Sequence, residues 1–151
     1  MKTLTLLLLT LIFSAGYCCA QTLYGADEYG VKTKPRGFLE DGKIYSADKY
    51  GVKDKVVGFL QDGKIYSADA YQLKDKIVGF IEGKTIFFAD AHQLKDKPAA
   101  FLTDGKIYAA DGYGIKSKLV GFYDGDDKAG AACATIILIL HRHMPPLNLP
   151  R

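Results

Sequence analysis

The sequence predicts an all-β protein, a closed ring of five 21-residue β-hairpin repeats built in the manner of a small propeller. Three observations carry this. A 21-residue unit recurs without gaps as 23–43, 44–64, 65–85, 86–106 and 107–127. Each unit holds two short runs rich in β-branched and aromatic residues, such as Val-Val-Gly-Phe-Leu and Ile-Tyr-Ser-Ala-Asp. The first and last units each leave one strand without a neighbour in sequence. Five columns never vary: Ala26 with Ala47, Ala68, Ala89 and Ala110; Asp27 with Asp48, Asp69, Asp90 and Asp111; Lys32 with Lys53, Lys74, Lys95 and Lys116; Lys34 with Lys55, Lys76, Lys97 and Lys118; Phe38 with Phe59, Phe80, Phe101 and Phe122.

Taken in order, residues 1–20 read as a signal peptide. Lys2 supplies a short positive region, 4–13 an apolar stretch, and Ala20 a small residue before Gln21, where cleavage is expected. The apolar stretch is shorter than the roughly 20 residues a membrane-spanning helix needs. The expected location is the periplasm or the cell exterior. An outer-membrane lipoprotein ranks behind it, because Tyr17 stands before Cys18 where a small residue is wanted. Cleavage would leave Cys133 as the one cysteine, so the mature chain would have no internal disulfide.

Within each unit, Asp-x-Tyr-Gly (Asp27–Gly30, Asp48–Gly51, Asp111–Gly114) reads as a type I turn, with Gln72 and Gln93 replacing Gly in two copies. Pro35 and Pro98 are expected at the start of their strands. The small residues Gly37, Gly58, Gly79, Ala100 and Gly121 suggest close backbone approach, and the Ala column fits the same crowding at a hub.

Asp41-Gly42, Asp62-Gly63 and Asp104-Gly105 are two-residue hairpin turns, and Gly83-Lys84 fits the related turn with Gly first. This fixes a register that sets Gln61 opposite Lys64, Leu60 opposite Ile65 and Phe59 opposite Tyr66. The same arithmetic pairs Phe38 with Tyr45, Phe80 with Phe87 and Phe101 with Tyr108. Ring closure would bring Phe122 beside Tyr24 and remove two exposed sheet edges. Aromatic pairs contribute about 0.2–1 kcal/mol each, and exposed charge pairs about 0–1 kcal/mol. Stability is therefore assigned to the aromatic and aliphatic columns, with Phe59→Ala expected to cost about 3–5 kcal/mol as a core truncation.

After 21–127, the apolar segment 128–140 is expected to pack on the ring as a helix, with a strand as runner-up, and 141–151 to be a disordered tail.

The chemistry-bearing candidates are few. The net charge is +3 with both signs in every unit, which excludes a nucleic-acid footprint. Asp124, Asp126 and Asp127 resemble part of a calcium loop without its full ligand set. His141, His143 and Cys133 could offer zinc ligands from an irregular segment. The structural reading outranks both, so no metal and no cofactor is expected. His92 stands where other units have Tyr and reads as a substitute aromatic. No nucleophile–base pair or phosphate-cradling motif stands out, so no catalytic residue is assigned. The Lys columns Lys32, Lys34, Lys53, Lys55, Lys74, Lys76, Lys95, Lys97, Lys116 and Lys118 would form two basic circles able to attract an anion. Replacing Lys53 and Lys74 by Ala is expected to leave stability nearly intact.

The unit I-Y-x-A-D-x-Y-G-x-K followed by V-G-F and D-G-K, in five copies after a segment ending Ala-Gln, resembles the bacterial five-fold β-flower proteins. The resemblance covers about residues 1–140. It implies a small exported ring and no assigned activity. The expected function is a non-enzymatic binding or structural module with an unidentified protein or glycan partner, no nucleic acid and no transmembrane span in the mature chain. Binding of an anion or glycan by the Lys circles is the alternative.

Overall fold

The computed structural model describes residues 21–125. These form a closed antiparallel barrel whose strands are β1 (Gln21–Ala26), β2 (Lys32–Glu40), β3 (Lys43–Ala47), β4 (Lys53–Gln61), β5 (Lys64–Ala68), β6 (Lys74–Glu82), β7 (Thr85–Ala89), β8 (Lys95–Thr103), β9 (Lys106–Ala110) and β10 (Lys116–Tyr123). The signal peptide, the 128–140 segment, the tail and the candidate ligands Asp126, Asp127, Cys133, His141 and His143 lie outside the described residues.

The hairpin turns are as the Asp-Gly pairs demand. Asp41, Asp62 and Asp104 have φ near +50° and the following glycines near +70° to +76°, the left-handed geometry of a type I′ turn. They impose the expected register: Phe38↔Tyr45, Phe59↔Tyr66, Phe80↔Phe87 and Phe101↔Tyr108. The barrel closes where β1 meets β10, with Leu23↔Tyr123, Tyr24↔Phe122 and Gly25↔Gly121. These pairs reproduce Leu39↔Ile44, Phe38↔Tyr45 and Gly37↔Ser46 of the first covalent hairpin. The seam is thus a hairpin without a turn.

Period-two alternation decides what faces inward. Leu60 and Ile65 oppose each other on one face, while Phe59 and Tyr66 oppose each other on the other. The inner face holds Leu23, Ile44, Ile65, Ile86 and Ile107 in one layer, with Leu39, Leu102 and Tyr123 buried beside them. The five Phe residues are half-buried on the outer face. The expectation that Phe59 is a core residue is therefore corrected: the aliphatic columns fill the barrel, and the aromatic columns coat it. The Ala column is corrected too. Ala47 pairs with Lys53 at a strand end and is only half-buried.

Every unit carries a β-bulge. Ile44 pairs with Gly58 but Tyr45 with Val56, which leaves Val57 unpaired. The same skip occurs at Arg36, Val78, Ala99 and Val120. Bulges increase local twist, which helps a sheet curl into a closed barrel. Val57, Val78 and Val120 use the bulge to pack against the core. Pro35 and Pro98 lie inside their strands, four residues in, not at their starts. They stand next to the bulge, where a missing N–H is tolerated.

A covariation between neighbouring units follows from the second kind of turn in four of the five copies; the fifth, Gly30, faces Leu119 across the seam and does not follow it. Gln72 and Gln93 hold φ of +62°, a region disfavoured for a residue with a Cβ. Each side chain offsets this by accepting a backbone N–H from the preceding unit, Val56 N at 3.0 Å and Ile77 N at 2.9 Å. Where the preceding unit has a proline, no such N–H exists, and the turn residue is Gly. A Cβ on Gly51 would meet Pro35 Cδ at 3.1 Å, and one on Gly114 would meet Pro98 Cδ at 3.4 Å. Gly51→Gln is expected to destabilise by about 1–2 kcal/mol. In a Pro35→Val background the penalty should shrink by about 0.5–1.5 kcal/mol, because a donor is restored. A urea-denaturation double-mutant cycle checks this; additive effects would refute the pairing.

Candidate functional site

The five second-type turns, each between an odd-numbered strand and the strand after it, line one end of the barrel; the Asp-Gly turns line the other. The invariant aspartates build these turns. Asp48 Oδ1 accepts Tyr50 N and Val52 N, both at 2.9 Å, while Gly51 N donates to Asp48 O at 3.0 Å. Asp27, Asp69, Asp90 and Asp111 repeat the pattern. The Asp column is thus conserved between units for turn geometry, with a carboxylate oxygen already committed to the backbone.

What these turns display is apolar. Tyr29, Tyr50, Tyr71 and Tyr113 are 77–92% exposed. Val31, Val52, Leu73, Leu94 and Ile115, two residues on, are 58–63% exposed. His92 occupies the fifth aromatic position, exposed like the tyrosines, with its backbone N–H on Asp90 Oδ1 at 2.8 Å. These are the large exposed hydrophobics among the described residues, and all belong to one rim. The Asp-x-Tyr-Gly pattern predicts a turn here and does not by itself predict a rim. The signal was present: an aromatic and an aliphatic flank the fourth turn position in almost every unit, where polar residues usually stand.

The two Lys columns separate. The first lies over the aromatic coat: Lys32 Nζ is 3.7 Å from the Tyr24 ring centre, Lys53 4.7 Å from Tyr45, Lys74 4.7 Å from Tyr66, Lys95 5.0 Å from Phe87 and Lys116 4.1 Å from Tyr108. Each also reaches a polar group thirteen residues back: Glu40 from Lys53, Gln61 from Lys74, Glu82 from Lys95 and Thr103 from Lys116. Lys32 completes the circle across the seam by reaching Asp124 at 3.4 Å. That occupies the one described member of the candidate calcium loop. Stacked cations of this kind contribute about 0.5–1 kcal/mol at exposed sites. Lys53 and Lys74 each make a ring contact and a polar contact, so replacing them by Ala is expected to cost about 0.5–1 kcal/mol at each site. In the second column, Lys34 donates to Lys49 O at 2.9 Å, and Lys55, Lys76, Lys97 and Lys118 are exposed.

A shallow pocket between the last two units is lined by Phe88, Lys97, Pro98, Ala99, Ala109, Ala110, Asp111 and Gly112. Its titratable groups are Lys97 and the turn-bound Asp111, which make no nucleophile–base pair. Among the described residues no cluster of His, Cys, Asp or Glu is arranged to hold a metal, and no helix is long and apolar enough to cross a membrane. No family model, curated protein or solved structure matches the chain.

Proposed function

We propose that the chain is an exported, non-enzymatic binding or structural module that works through its five-fold apolar rim, in the style of the five-fold β-flower proteins it resembles. The observation that carries this is the rim itself. Isolated exposed hydrophobics are ordinary on a protein surface, but a contiguous set marks an interaction site. Export rests on the apolar amino-terminal segment and Ala20-Gln21.

A second reading is binding of an anion or acidic glycan by Lys55, Lys76, Lys97 and Lys118, favoured by their exposure. One comparison separates the two. The full chain is tested on an anionic-glycan array and on phosphatidylcholine vesicles beside two variants, Tyr29→Ser/Tyr50→Ser/Tyr71→Ser/Tyr113→Ser and Lys55→Ala/Lys76→Ala. Binding lost in the Tyr variant and kept in the Lys variant is the expected result. The opposite pattern favours the anion reading and overturns the rim. Both variants should keep wild-type stability within about 0.5 kcal/mol, since the altered side chains are exposed.

A further inference from the structure

We propose that the rim is the contact face for a second copy of this chain, docked rim to rim about a two-fold axis; this rests on the reading of the rim as the working surface. Strand order places the units around the barrel in chain order, with the last against the first. The second positions of these turns are Glu28, Lys49, Ala70, Ala91 and Gly112, all exposed. Two adjacent tips therefore carry opposite charges, and the other three are small and neutral.

This pattern is self-complementary. Consider a two-fold axis perpendicular to the barrel axis, passing between the first and second units on one side and through the fourth on the other. It sets the first unit over the second of the other copy, the third over the fifth, and the fourth over itself. Glu28 then faces the partner's Lys49, and Lys49 faces the partner's Glu28. Ala70 faces the partner's Gly112, small against small. The fourth unit meets its own equivalent on the axis, and there the rim carries His92, smaller than the tyrosine of the other units.

Area and charge agree with this occupant. A tyrosine can bury on the order of 150–250 Å². Four of them with five aliphatic neighbours reach roughly the 800 Å² per partner of a stable interface. An anionic membrane or acidic polymer fits less well, because Glu28 and the exposed Asp54, Asp75 and Asp96 lie among the rim-end lysines. Mixed charge suits a surface that meets itself.

The test is sedimentation equilibrium of the full chain in reducing buffer at physiological salt, with circular dichroism to confirm folding. The wild type is expected to dimerise. Glu28→Lys and Lys49→Glu should each weaken the dimer about tenfold, because each sets like charges against each other twice. The combined Glu28→Lys/Lys49→Glu chain should regain wild-type affinity. A wild type still monomeric at about 100 µM, where a dimer of micromolar Kd would be largely formed, overturns the proposal, as do single swaps without effect. If that monomer still shows Tyr-dependent binding to the array or vesicles, the second copy is excluded while the rim reading stands.

Discussion

Ile65→Ala is expected to destabilise the barrel by about 2–5 kcal/mol, in the upper part of that range. Ile65 is completely buried and sits in a layer with Leu23, Ile44, Ile86 and Ile107. The cost of such a truncation depends on how far the neighbours can collapse into the space left. Here they cannot collapse far, because hydrogen-bonded strands on both sides hold Ile65 in place: Ile65 pairs with Leu60 in one strand and Gly79 in the other. Phe59→Ala removes a larger side chain but a half-buried one on the outer face. It should cost about 1–2 kcal/mol, well below the range for a core aromatic. Urea denaturation of both variants measures the difference. A Phe59→Ala chain less stable than Ile65→Ala would contradict the assignment of the core to the aliphatic layers.

Gly121→Val should act on one place, the seam. A Cβ at Gly121 would lie 2.6 Å from the Tyr24 backbone oxygen, and backbone cannot swing aside as a flexible side chain can. The clash falls where β1 and β10 are held by pairing alone, without a turn joining them. The expected loss is on the order of 3 kcal/mol or more, a steric overpacking effect added to lost seam pairing. Hydrogen exchange should quicken first in Leu23–Gly25 and Gly121–Tyr123, while β4 to β7 keep their protection. The variant Ala100→Gly is the comparison, since that unit of the same column accommodates a fully buried methyl. Native protection at the seam in Gly121→Val would refute the close approach.

Much of this architecture was readable from the residues because its determinants are local. Asp62-Gly63 specifies a turn type, the turn type specifies Phe59 opposite Tyr66, and repetition carries the result around the ring. Closure was readable as well, since Phe122 and Tyr24 were the leftovers of a pairing rule. The direction each face points was not. Alternation separates Leu60 and Ile65 from Phe59 and Tyr66, but both pairs are apolar, so pattern alone does not say which fills the barrel. The bulges were hidden for a related reason. Val56-Val57 looks like continuous strand, and the skipped residue shows only once the partner strand is in place. The rim is hidden because the Asp48–Gly51 pattern specifies a turn without placing the Tyr50 side chain, whose exposure shows only in the fold.

The seam has one more consequence. Since β1 and β10 meet in the register of an ordinary hairpin, the ring has no privileged starting point. An Asp-Gly pair inserted between Asp124 and Thr22, which stand where Glu40 and Lys43 flank the first hairpin turn, with the chain opened at Asp62-Gly63 instead, should yield a circular permutant of the same shape. Its new ends would leave from the barrel end opposite the tyrosines.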